Sequence, residues 1–246
     1  PGLHAFDWRG FWNYGTGALG DMGCHLIDIP FKALGLKYPT DVECSVGTIF
    51  TKMWSADYYP EGCPPSSSVS LHFDATEKNL SPIQMTWSDG GIKPFHPDLL
   101  PADVSIESNG IIMIGEKGVI TCDAYGEDPK LYRKGEPVVK GEKVKVLEPE
   151  FGHQRQWVDA CKAGFNSAEH KSLTSSFDYS GPLTETVLMG NIAIRSYMLT
   201  EATGNRRRSN YIGRKKLLWD GENMKINNLE AANQYVGRTY RKGWEL

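Results

Sequence analysis

The chain has 246 residues, with 27 Lys+Arg against 30 Asp+Glu, a formal net charge of −3 and 40% hydrophobic residues. That balance gives no reason to expect nucleic acid or an anionic membrane as partner, and no apolar run approaches the ~20 residues that span a bilayer. The five cysteines (Cys24, Cys44, Cys63, Cys122 and Cys161) are odd in number and lack C-x-x-C spacing, so neither a disulfide framework nor a zinc site is expected.

The chain opens at Pro1 rather than Met and shows no signal peptide, so it reads as cut from something longer, with its compartment left open. The first informative run is Trp8-Arg-Gly-Phe-Trp12-Asn-Tyr14-Gly-Thr-Gly17, crowded with aromatics and glycines. Such a loop can bring flat rings and a guanidinium to a sugar or polyol while its glycines permit tight turns. Arg9 and Trp12 are therefore candidates for the wall of a substrate pocket. The alternative is a packed loop capping a hydrophobic core.

A helix is expected from about Asp21 to Leu34, stopped by Gly35 with Pro39 soon after, and kinked or divided by Pro30. Residues four and seven apart share one helical face, so Asp21, His25 and Asp28 form a row, while Met22, Leu26 and Ile29 line another side. An imidazole one turn from a carboxylate makes a good general acid/base, because the carboxylate can fix its tautomer and stabilise its charged form. The alternative has Asp21 serving the helix start as N-cap or first-turn anion, with His25 merely satisfied by it. Asp28 has its own alternative, pairing with a nearby Lys or Arg.

A literal G-x-G-x-x-G occurs at Gly15-Thr-Gly17-Ala-Leu-Gly20. The dinucleotide fingerprint needs a buried strand directly before it, so that amides at the following helix start cradle a pyrophosphate. Asp7 to Tyr14 is no such strand, and Asp21 puts a carboxylate where an anion should bind. The motif is refused as a cofactor site.

The middle of the chain reads as strands: Val42 to Phe50, Ser68 to Phe73, Ile83 to Trp87, Ser105 to Ser108, Ile111 to Ile114 and Val119 to Cys122. Several alternate apolar with polar residues, which predicts a sheet with one buried and one wetter face. Gly115-Glu-Lys-Gly118 suits a tight hairpin, and Gly135-Glu-Pro137 a turn among outer strands at Lys130 to Arg133 and Val144 to Leu147. Tyr58 to Ser68 and Asp89 to Asp103 are expected as surface linkers.

Helices return at His153 to Ala163, with Trp157, Ala160 and Cys161 on its apolar side, and at Pro182 to Thr203, with Pro just inside the start and Gly204 beyond the end. Leu183, Val187, Asn191, Ile194 and Met198 give the second helix one mainly apolar face. His153 is a candidate for the substrate pocket, against the alternative of a surface cap. His72 reads as a sheet-face residue, and His96 and His170 lie in polar loops. The basic run Arg206 to Arg208 with Arg214 to Lys216 reads as a solvated loop. Without helices between the middle strands, parallel winding is not available. The expected fold is therefore a single α+β domain over 1–246: one large, mainly antiparallel sheet with helices packed on one face. The outward face, expected to carry apolar residues, suggests a homo-oligomer contact.

The run from Trp8 to Gly35, centred on Gly-Ala-Leu-Gly-Asp21-Met-Gly-Cys-His25-Leu-Ile-Asp28, resembles the start of the C-terminal domain of the glucose-fructose oxidoreductase and inositol dehydrogenase family (Gfo/Idh/MocA). The ending Tyr240-Arg-Lys-Gly-Trp-Glu-Leu246, with Leu218-Trp-Asp220 upstream, resembles a branch of the same proteins. The resemblance implies an α+β domain whose open sheet face serves oligomer contacts, and an N-terminal Rossmann domain, absent from this sequence, that holds NAD or NADP. It also implies that the Asp and His of the D-x-x-x-H core, here Asp21 and His25, join a lysine of that other domain. Together they move a proton and a hydride on a sugar or cyclitol. The expected function is the substrate and catalytic half of an NAD(P)-dependent oxidoreductase acting on a hydroxyl of a sugar, glycoside or polyol. Two other readings stand beside it: a non-catalytic assembly domain built on the open sheet face, and NAD-dependent glycoside cleavage by transient oxidation.

Overall fold

The computed structural model describes residues 5–142, 152–202 and 210–245. Its helices are α1 (Gly17–Leu26), α2 (Asp28–Leu34), α3 (Gly152–Ala163), α4 (Ala168–Lys171) and α5 (Phe177–Ser196). The strands of the first half are β1 (Asp41–Val46), β2 (Ser67–Phe73), β3 (Ile83–Ser88), β4 (Ile111–Gly115), β5 (Gly118–Cys122), β6 (Lys130–Tyr132) and β7 (Val139–Lys140). Four more lie near the C-terminus: β8 (Thr200–Glu201), β9 (Asn210–Tyr211), β10 (Leu217–Asp220) and β11 (Lys225–Ile226). Every described strand pairing is antiparallel, so the chain is α+β with antiparallel sheets.

The strands do not form one large sheet. They divide into a five-stranded sheet in the order β11-β10-β1-β2-β3, a four-stranded sheet β4-β5-β6-β7, and the pair β8-β9. The alternation in Ser67-Ser-Val-Ser-Leu-His-Phe73 sets the face of the first sheet: Val69, Leu71 and Phe73 are buried, and the intervening Ser68, Ser70 and His72 are only partly so. Their cross-strand partners continue the pattern, with Val69 beside Cys44 and Trp87, and Ser70 beside Glu43 and Thr86. The outward face is therefore rich in Ser, Thr, Gln and Glu. The apolar outward face read for the sheet is not found on these strands, exposed Leu218 of β10 aside. His72 holds the place read for it on this face, 2.5 Å from Asp41 Oδ1, which also pairs with Lys216 at 3.3 Å.

Helices α1, α2 and α5 cover the inner face and share one core with it, built from Leu19, Phe31, Val42, Leu71, Met189 and Leu217, among others. α5 lies between α1 and the sheet, so burial runs almost around it instead of along one stripe: Leu183, Val187, Met189, Ile192, Ala193 and Ile194 are all buried. Close approach to α1 needs Gly190, where a Cβ would sit 2.4 Å from Leu19 Cδ2.

α5 begins at Phe177, with Ser176 as N-cap, rather than at Pro182. Pro182 removes the bond that its own N–H would have made to Asp178 and sets its ring against that carbonyl, yet the helix runs on through it, packed on the core from Leu183 onward. The helix ends at Ser196, before the expected Thr203, and the chain then enters β8.

The expected 21–34 helix starts earlier, at Gly17, and is two helices. α1 ends at Leu26, four residues before Pro30, where the proline ring collides with the preceding turn and the Leu26 carbonyl has no N–H to receive. Gly35 closes α2 in the left-handed conformation, φ 62°, as the stop signal requires.

In the second sheet the hairpin falls at Gly115↔Gly118 as read. Ser105 to Ser108 is not a strand. With Leu99, Leu100 and Val104 it brings Ile106 against Val119 and Tyr132, so part of this connection is core rather than surface. β7 was not anticipated, and the strand expected at Val144 to Leu147 lies outside the described residues. β10 and β11 were also missed; they extend the first sheet because Leu217, Trp219 and Ile226 bury against its core. α3 packs chiefly on α4. Ala160 is buried, but Trp157 and Cys161, read as its apolar side, face solvent. Arg214 to Lys216 are exposed in a turn, as read, with Arg214 over the rings of Tyr197 and Tyr211, while Arg206 to Arg208 lie outside the described residues. Among the described residues no helix is long and apolar enough to cross a membrane.

Candidate functional site

The open side of α1 carries Asp21, Cys24 and His25, all exposed. Asp21 lies in the middle of the helix, which has Thr16 at its N-cap position, so it is neither cap nor first-turn anion. Its partner is Arg9, from the 3-10 turn Asp7–Gly10, whose Nε donates to Asp21 Oδ1 at 3.0 Å. The same guanidinium lies over two rings, 4.6 Å from Trp8 and 4.7 Å from Phe6. Stacking, this charge-assisted bond and a longer one from a terminal nitrogen to the Phe6 carbonyl (3.4 Å) hold Arg9 in place and leave its other N–H groups for a ligand.

His25 makes no hydrogen bond to Asp21. One edge of its ring instead meets Tyr125, with centres 5.4 Å apart and planes at 66°. Tyr125 arrives from the β5–β6 loop, which Asp123 folds by accepting from the backbone N–H groups of Tyr125 (2.9 Å) and Glu127 (2.7 Å). Gly126, φ 80°, lets this loop approach α2, where a Cβ would lie 3.1 Å from Ile29 Cδ1. Tyr125 carries no sequence signal; its place depends on how the second sheet docks beside α1.

Asp28 leaves the row. The break at Ile27 places it in the first turn of α2, where its side chain accepts a hydrogen bond from the Tyr179 hydroxyl of α5. Burial and this carboxylate push the Tyr179 phenol up from its ordinary value. Asp28 thus ties two helices together, and its partner is a phenol rather than the Lys or Arg considered from sequence. His153 is exposed on α3, and no described contact joins it to Asp21 or His25.

Trp12 goes to another place. It forms one wall of a pocket of about 290 Å³ between the end of β1, residues 57–65, the last turn of α5 and the 3-10 helix Glu230–Tyr235. Arg195 enters this pocket between two rings, 5.4 Å from Trp12 and 4.2 Å from Tyr235. Cys63 lines it as well; burial first, then Asp89, raise its thiol to about 12 against the smaller opposing effect of Arg195. Sequence reading found Trp12 but neither Arg195 nor Tyr235.

The structure therefore joins Arg9, Asp21 and His25 on one open surface, sends Asp28 inward, puts Trp12 in a separate pocket and leaves His153 apart. The glycines at 15–20 follow a 3-10 turn and an isolated bridge at Phe11 rather than a parallel strand, and the Thr16 side chain fills the space beside Gly20. These residues do not fit a dinucleotide phosphate. Among the described residues no group of three or more His, Cys, Asp or Glu is placed to hold a metal ion. The chain matches no protein-family model and no curated protein.

Proposed function

We propose that this chain is the substrate and catalytic half of an NAD(P)-dependent oxidoreductase that acts on a hydroxyl of a sugar, glycoside or polyol. The observation that carries the reading is the open row on α1, where an exposed imidazole, a carboxylate and an aromatic-clamped guanidinium share one surface without filling it. The resemblance of residues 8–35 to the Gfo/Idh/MocA catalytic segment supports the same assignment of Asp21 and His25.

In this reading His25 takes the proton of the substrate hydroxyl, or returns it in the reverse direction. Tyr125 limits the imidazole to the side away from its own ring. Asp21, held by Arg9, accepts a hydrogen bond from a neighbouring hydroxyl, a role suited to a carboxylate with one oxygen already engaged. Arg9 presents its remaining N–H groups to a ring oxygen or second hydroxyl. Because residues 15–20 make no dinucleotide cradle, NAD or NADP is assigned to a separate dinucleotide-binding domain, and the roles described here are limited to the proton and the substrate.

The test is turnover of the protein that joins this chain to such a domain, across a panel of sugars, glycosides and polyols, following NAD(P)H and glycosidic cleavage together. Nicotinamide reduction or oxidation dependent on His25 supports the reading. Cleavage without net change in NAD(P)H would favour the glycoside hydrolase alternative. Inactivity of a folded, cofactor-loaded protein across the panel would favour an assembly role.

A further inference from the structure

The pocket at Arg195 is separate from the row on α1. Trp12 precedes the helix and Gly17 at its start packs on Cys63, whereas His25 lies eight residues on, a rise of about 12 Å along the axis. What distinguishes the pocket is a set of polar groups left without partners.

Arg195 has no carboxylate or hydrogen-bond partner among the described residues. Its guanidinium is gripped only by ring faces, those of Trp12 and Tyr235. Stacking satisfies the flat faces of a guanidinium and leaves its in-plane N–H groups at the edge, in the fork that matches a carboxylate. Asp57 is the complementary case. Its Oδ1 accepts from the Thr51 hydroxyl at 2.9 Å and its backbone N–H donates to Ile49 at 2.7 Å, which fix the residue in place. Its Oδ2 is buried with no partner. A buried acceptor without a donor costs roughly 1–3 kcal/mol, which a ligand hydroxyl relieves once a small side-chain shift uncovers the oxygen toward the pocket that Asp57 lines.

Between these groups Trp12, Tyr58 and Tyr59 offer ring surface, which suits the C–H faces of a pyranose. A volume of about 290 Å³ lies at the small end of ligand sites, enough for one ring rather than a chain of them. The charges further narrow the ligand. A phosphate dianion would set two negative charges against the Asp57 carboxylate where a sugar carboxylate sets one, and a neutral sugar would leave the Arg195 fork empty.

We infer that this pocket binds a single-ring sugar acid, with the ligand carboxylate on Arg195, a ring hydroxyl donating to Asp57 and the ring against Trp12 or the tyrosine pair. The site is independent of proton transfer at His25, since it needs neither cofactor nor turnover.

Isothermal titration calorimetry of the full-length protein with D-glucuronate, D-glucose and D-glucose 6-phosphate tests it directly. Glucuronate is expected to bind more tightly than either of the others. Arg195→Gln should weaken glucuronate by about tenfold or more, as expected for losing a charged bidentate contact, and leave glucose little changed. Asp57→Asn should weaken glucuronate and glucose together, because it acts on the hydroxyl. Circular dichroism checks folding; if Arg195→Gln is misfolded, Arg195→Lys and Asp57→Asn decide, with Arg195→Lys expected to retain charge but lose most of the preference for glucuronate over glucose. Absence of glucuronate binding, equal affinity for glucose, tighter binding of the phosphate, or unchanged affinity in the folded variants would each overturn the inference. Failure here leaves the assignment of His25 standing, and loss of that assignment leaves this one standing.

Discussion

The row on α1 and the pocket at Arg195 each pair a cation with aromatic rings, but they treat its charge in opposite ways. Arg9 is given a counter-ion, Asp21, and both side chains stay about a third or more exposed, at 32% and 40%. Arg195 lines a partly open pocket and is given rings but no counter-ion among the described residues. The first arrangement is complete in its charges and open in its shape. The second is the more closed in its shape and open in its charges. A surface of the first kind needs a further element to close over it before water is excluded, whereas the second already has walls and lacks only an anion.

The largest effect is expected in the open row. In the cofactor-loaded protein, His25→Ala should lower turnover by about two to four powers of ten, the usual range for loss of a general acid/base. The fold should survive, because His25 is exposed and its one described ring contact is to an exposed tyrosine. Near-normal turnover in a folded variant would remove His25 from the mechanism and reduce α1 to scaffolding.

Gly190→Ala addresses what holds α1 in place. The added methyl meets Leu19 at 2.4 Å across the α1–α5 contact, so overpacking should cost about 1–3 kcal/mol. Thermal unfolding would report it as a lowered midpoint, and an unchanged midpoint would mean that the two helices separate more readily than their packing implies.

Asp21→Asn should have a mixed, smaller effect. Removing an exposed ion pair changes stability by about 1 kcal/mol or less, so the melting temperature should hardly move. Turnover should nonetheless fall, with Arg9 released from its charged partner. A variant altered in melting temperature alone would assign the Arg9–Asp21 pair to structure.

The smallest difference concerns thiols, and it separates the two regions without a substrate. Cys24 beside His25 is exposed, whereas Cys63 in the pocket and Cys44 on β1 are both pushed to about 12 by burial first of all. Thiolate is the reactive form, so at pH 8 iodoacetamide should label Cys24 and the exposed Cys161, and spare Cys44 and Cys63 until pH approaches their raised values. Mass spectrometry of labelled peptides reads this. Early labelling of Cys63 would show that the pocket opens in solution.

Local signals carried much of this molecule. The alternation of Ser67 to Phe73, the hairpin at Gly115 to Gly118, the stop at Gly35 and the division forced by Pro30 each depend on a few consecutive residues and their backbone preferences. The row at Asp21 and His25 was legible for the same reason, since helical spacing brings residues four apart onto one face. The short strands β10 and β11 were not, because runs of four and two residues have no period to read and gain their pairing only from Leu217, Trp219 and Ile226 joining a core built elsewhere.

The sequence by itself determined the stops at Gly35 and after Ala163, which residues of β2 turn inward and which side chains share the open face of α1. Tertiary structure alone decided their partners. Tyr179 meets Asp28 across 151 positions and takes it out of the row. Tyr125 reaches His25 from another sheet, and Trp12 and Tyr235 close on Arg195 from opposite ends of the chain. The division has a physical cause: turn chemistry and periodicity act within a few residues, whereas the neighbours of a side chain are set by which apolar faces bury together, and that depends on the whole chain at once.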